Sequence, residues 1–110
     1  MYTEDHSCQN ELAKFHFQIY RNLTRRQDFN LHIHQVSDHN LSILERSYIY
    51  YVRLVLEELS KDERRILVRD FIESSDRNWW MDYYSKSTYY RLKNEAIKHF
   101  LDCLHSLKMV

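Results

Sequence analysis

Between Ser85 and Lys98 the chain carries Ser85, Lys86, Ser87, Thr88, Tyr90, Arg91, Lys93, Asn94 and Lys98, and only Glu95 is acidic. These side chains have the chemistry of nucleic-acid reading. The Arg91 guanidinium can offer a fork to guanine and the Asn94 amide can pair with adenine. Lys86, Ser87, Thr88 and Lys93 suit phosphate oxygens, while Tyr90 suits a thymine methyl or a phosphate. On a helix capped by Ser85 or Ser87 the backbone dipole adds to this attraction for anions. Tyr89, Leu92, Ala96 and Phe100 then make an inward stripe, leaving Lys86, Ser87, Tyr90, Arg91 and Asn94 pointing elsewhere, with Lys93 and Lys98 beside them.

Other chemistry is poorly supplied. His32 and His34 are two residues apart, on different faces of a helix, and neither they nor His39 gain a cysteine or paired carboxylate at ligand spacing, so no metal site is expected. Cys8 and Cys103 follow no metal spacing either, and the reading is of a cytosolic protein with reduced thiols. There is no glycine-rich phosphate loop, nucleophile elbow or paired nucleophile and base, so neither an enzyme nor a bound cofactor is predicted. Asp62, Glu63, Asp70 and Glu73 read as helix-capping and surface carboxylates. Trp79 and Trp80 read as core, with at least one largely buried.

The elements that must position the basic segment are helices. The chain has no glycine and no proline, which removes the usual residues of tight hairpin turns. With 44% hydrophobic and 15% aromatic residues in a chain of 110, one domain can bury a real core. Leu12, Phe15, Ile19 and Leu23 recur at helical spacing in a first helix from Gln9 to about Val36. The stretch Asp28 to Asn40, overlapping its end, also alternates in a manner suited to a short strand, although continued or broken helix is favoured. Ser42 with Glu45, and Ser60 with Glu63, are capping boxes that open a second and a third helix. The second carries the stripe Leu44, Tyr48, Tyr51, Val52, Val55, Leu56 and Leu59, broad enough for a partner or a homodimer. The third carries Ile66, Leu67 and Phe71. A polar turn from Glu73 to Asn78 leads to a short helix over Trp79 to Tyr84 and then to the long last helix. The fold predicted is all-α, a bundle of about five helices, with an N-terminal helical part over 1–59 joined to 60–110 in one compact unit.

The segment from Leu59 to Leu104 resembles region 4 of sigma-70-family factors, and more closely the small sigma-like activators of phages and mobile elements in low-GC bacteria. LSKDERRIL looks like the first region 4 helix, WWMDYY like the first helix of a helix-turn-helix, and SKSTYYRLKNEAIKHFL like the recognition helix. It departs from the common pattern in having no small residue in that first helix and no glycine in the turn. The resemblance implies a transcription regulator that binds double-stranded DNA and a second partner, the flap of the RNA polymerase β subunit. Overall charge is neutral, 16 basic against 16 acidic residues, so any attraction for DNA must be local. No apolar run is long enough for a membrane. The competing expectation is a helical protein-interaction module or anti-regulator without DNA affinity.

Overall fold

The computed structural model describes residues 2–34, 41–73 and 75–108, with side-chain surroundings for 8–28, 41–73 and 75–107. Among the described residues it is all-α, with α1 (Tyr2–His34), α2 (Ile43–Glu58), α3 (Lys61–Leu67) and α4 (Lys86–Lys108). α3 runs straight into a π-helical turn, Val68–Ile72, and a 3₁₀ turn, Trp79–Asp82, precedes α4. Among the described residues four α-helices replace the five expected: Trp79–Asp82 forms one tight 3₁₀ turn where a short helix is predicted. None of the described helices is long and apolar enough to cross a membrane.

Local chemistry explains the boundaries. Ser42 accepts the Glu45 amide at 3.0 Å while the Glu45 carboxylate accepts the Ser42 amide at 3.0 Å. Ser60 and Glu63 repeat this reciprocal cap at 3.2 and 3.1 Å. α2 ends where Leu59 turns extended, and the Arg64 guanidinium reaches back to the Leu56 and Glu57 carbonyls at 3.0 and 3.4 Å, satisfying acceptors that the helix end leaves open. α4 is capped by Ser85, not Ser87: the Ser85 hydroxyl accepts the Thr88 amide at 3.3 Å.

α1 continues through Asp28 to His34 as helix, so the strand reading fails there, while residues 35–40, including the expected helix end at Val36 and His39, lie outside the described residues. The buried stripe of α1 is Ala13, His16, Phe17, Tyr20 and Leu23. It is rotated from the predicted one, leaving Leu12 and Phe15 exposed. Apolar residues lie on both sides of this helix, and packing selects the side on which Ala13 permits close approach and Phe17 enters the core. α2 differs similarly, burying Ile49, Val52, Val55, Leu56 and Leu59 but exposing Leu44 and Tyr51 from the predicted stripe.

α4 is the central strut, packed against α1, α2 and α3. The main core lies along its C-terminal half. Phe17 of α1 stacks between Phe71 of the π turn and Phe100 of α4, with ring centroids 5.3 and 4.4 Å away. This core draws residues from both 1–59 and 60–110. A smaller cluster of Ile66, Trp79 and Tyr89, flanked by Trp80, Tyr84 and Leu92, holds the N-terminal half.

Candidate nucleic-acid interface

The N-terminal half of α4 is anchored through one carboxylate. Asp70, on the π turn, accepts the Trp79 indole N–H at 2.8 Å, the Tyr89 hydroxyl, and the Lys93 ammonium at 3.2 Å. The wider π turn brings Asp70 to this meeting point, as such insertions commonly reposition side chains at functional sites. Burial, then the hydrogen bond and charge of Asp70, push the Tyr89 phenol far above its ordinary range, keeping it a neutral donor. Trp80 stacks on Tyr89 with centroids 4.6 Å apart and rings 10° from parallel, while Trp79 meets it edge-on. Trp79 is buried, as expected for one of the pair.

A second set of bonds ties α3 to the turn before α4 and to the middle of α4. Tyr84 donates to Asp62 at 2.8 Å, and Glu63, only 6% exposed, meets His99 Nδ1 of α4 at 2.7 Å. Burial opposes ionisation of Glu63, but the Ser60 amide, the His99 ring and the Ser60 hydroxyl together hold its carboxyl below the usual range. Glu63 caps α3 as predicted and is also an internal tie to α4, while Asp70 is an internal tie between elements and not the surface carboxylate predicted.

Six of the predicted site residues, Ser85, Lys86, Ser87, Tyr90, Arg91 and Lys98, are exposed, while Thr88 and Asn94 are half-buried. On α4 the residues Ser87, Tyr90, Arg91, Asn94 and Lys98 fall in one sector at helical spacing, turned away from the face that carries Tyr89, Ala96 and Phe100, while Lys86 shares the side of Lys93 but is exposed in the first turn. Arg91 pairs with Glu95 at 3.6 Å, both well exposed, a contact weak enough to yield to a stronger acceptor. Lys93 departs from expectation. It lies against the protein, paired with Asp70 and set over the Phe71 and Tyr89 rings at 5.3 and 5.7 Å, because its position falls on the packed side of the helix.

Alongside this sector runs a cleft of about 720 Å³ between α1, the π turn with the segment after it, and α4. Its α1 wall is made of Lys14, Gln18, Arg21, Asn22 and Arg25, all hydrogen-bond donors and none acidic. Tyr90 and Lys93 belong to both the cleft and the predicted site. Sequence reasoning missed the cleft. The recurrence of polar donors along one face of α1 was a visible signal, whereas Asp70 and Arg77 gave none, since only folding brings them to α1 and α4.

Among the described residues no group of three or more histidine, cysteine or acidic side chains is placed to hold a metal. No protein-family model, curated protein or solved structure matches the chain.

Proposed function

We propose that the protein is a DNA-binding transcription regulator that reads duplex DNA with the N-terminal turns of α4, in the manner of a sigma-like activator or accessory factor. The observation that carries this reading is the exposed sector of α4: Lys86, Ser87, Tyr90 and Arg91 stand in solvent at a helix start while Tyr89 and the Asp70 contacts fix the helix behind them. A helix presented this way can enter a major groove with its first turns toward base edges. Arg91 takes the base-reading role and Lys86 the phosphate role predicted for it, whereas Lys93 is already engaged by Asp70. The resemblance to region 4 adds RNA polymerase as a protein partner.

The test is binding of the full chain to duplex DNA across a salt series. Arg91→Ala is expected to cost about 1 to 3 kcal/mol and to relax preference at one base pair. Lys86→Ala is expected to weaken all sequences alike and lower the salt slope by about one. Absence of duplex binding by the wild type overturns the reading.

A second reading, a helical protein-interaction module, is favoured by one observation. Ile43, Leu44, Tyr50 and Tyr51 are exposed together on α2, a concentration of apolar groups unusual for a free surface. A homodimer through this face is checked by sedimentation, with Leu44→Glu expected to give monomers.

A further inference from the structure

The cleft beside α4 holds more positive charge than the fold uses. Six cationic side chains and three carboxylates line it. Lys93 is engaged by Asp70 at 3.2 Å, Arg69 by Glu73 at 3.9 Å, and Lys14 by Glu11 at 3.5 Å. The guanidinium groups of Arg21, Arg25 and Arg77 have no ion pair or hydrogen bond among the described residues, Arg21 being engaged only through its backbone carbonyl, which accepts the Thr24 hydroxyl at 3.1 Å. The remaining carboxylate, Asp76, accepts the Asn78 amide at 3.4 Å within its own turn.

Arg21 and Arg25 are one helical turn apart on the same face, an arrangement of like charges that is unfavourable for the helix itself. Arg77 lines the same cleft from the segment between the two turns. Trp80 and Tyr90 complete the lining at the α4 side. Because Tyr90 also stands in the exposed sector of α4, with Lys86 one turn before it, the cleft and that sector form one continuous surface.

We infer that this cleft is a clamp for the phosphodiester backbone of the duplex, with Arg21 and Arg25 of α1 on one side and Arg77 on the other. The inference rests on the reading of α4 as the DNA-facing helix and extends it to α1. Guanidinium groups suit phosphate because their planar fork donates two parallel hydrogen bonds to its oxygens. Polyanion, not a lone small anion, fits the spread of the three arginines along two walls of an open cleft. α1 thus does more than complete the core: it supplies sequence-independent affinity while the first turns of α4 supply selectivity.

The experiment uses the full chain and a labelled duplex of random sequence, with binding measured by anisotropy over a salt series. Arg21→Gln with Arg25→Gln is expected to lower the slope of log affinity against log salt by about two, and Arg77→Gln by about one, since each phosphate contact contributes about 0.9. Preference among sequences is expected to stay as in the wild type. Arg21→Lys with Arg25→Lys, which keeps the charge, is expected to keep most of the slope. Circular dichroism establishes that each variant is folded. Unchanged slopes in the folded glutamine variants, with Lys86→Ala and Arg91→Ala still weakening binding, overturn the clamp and leave the α4 reading standing. If the wild type binds no duplex, both fail together.

Discussion

The two halves of α4 are fixed to the protein by different physics. From Ala96 to Leu104 the helix is held mainly by packing, beside the tie of His99 to Glu63: Ala96, Phe100 and Leu104 are almost wholly buried, and Phe100 stacks on Phe17. Around Tyr89 to Lys93 it is held by directed bonds to one carboxylate, with a small aromatic cluster beneath. Packing tolerates a shift as long as volume is filled, but hydrogen bonds to a fixed acceptor set position and rotation together. The half held by directed bonds is the one whose outer surface carries Lys86, Tyr90 and Arg91. A helix that must present side chains at a defined angle gains from such an anchor, whereas the other half needs only depth.

The largest expected effect belongs to the packed half. Phe100 is fully buried between helices, so Phe100→Ala is expected to destabilise the fold by about 3 to 5 kcal/mol, measured by urea denaturation. A loss below about 1 kcal/mol, in the range of a surface change, would break the distinction between the halves at its firmer end.

Asp70 is the sharper probe. Asp70→Ala leaves the Trp79 indole, the Tyr89 hydroxyl and the Lys93 ammonium without their shared acceptor, at a site only 13% exposed on the Asp70 side chain. The expected cost is about 2 to 3 kcal/mol, below that of a fully buried ion pair because water can reach part of Lys93. The loss should also be local. Amide exchange is expected to rise in the first turns of α4 by more than in its last turns, as the anchored half opens first. Uniform acceleration along α4 would show that the two halves are one cooperative unit and that Asp70 merely adds to global stability.

This division was only half legible in the sequence. The all-α class was readable from helical periodicity in a chain without glycine or proline, both capping boxes because they depend on residues three apart, and the stripe of α4 because its apolar spacing is regular. The stripe of α1 was misread because Leu12 and Phe15 compete with Ala13 and Phe17, and only the neighbouring helices decide between them. The Asp70 anchor was not readable at all. Its partners are nine and nineteen residues away for Trp79 and Tyr89, and the π turn that aims it has no sequence signature comparable to a capping box. The pairing of Lys93 was unreadable for the same reason: a lysine in a basic helical stretch looks solvated until the carboxylate behind it is known.

The smallest expected effect compares two ties that the sequence writes identically. Ser42 with Glu45 and Ser60 with Glu63 are the same box, yet Glu45 meets Arg26 at the surface while Glu63 is buried against His99 of α4. Glu63 is therefore the box that also anchors α4. Its carboxyl is held below the ordinary value of 4.5, so the unfolded chain binds the proton more readily than the folded one. The stability it contributes is complete above that value and is lost as pH falls through the depressed folded value. Glutamine can still close the box but does not titrate. Glu63→Gln is thus expected to be less stable than wild type by about 1 kcal/mol near neutral pH, with the difference vanishing in acid. Glu45→Gln is expected to show the same sign with a smaller difference, because its carboxylate has no tie to α4. Urea denaturation from about pH 6 to about pH 3 measures both. A Glu63→Gln deficit that persists unchanged into acid would assign the loss to shape instead of charge. Equal deficits for the two variants would show that the His99 contact adds nothing to the box.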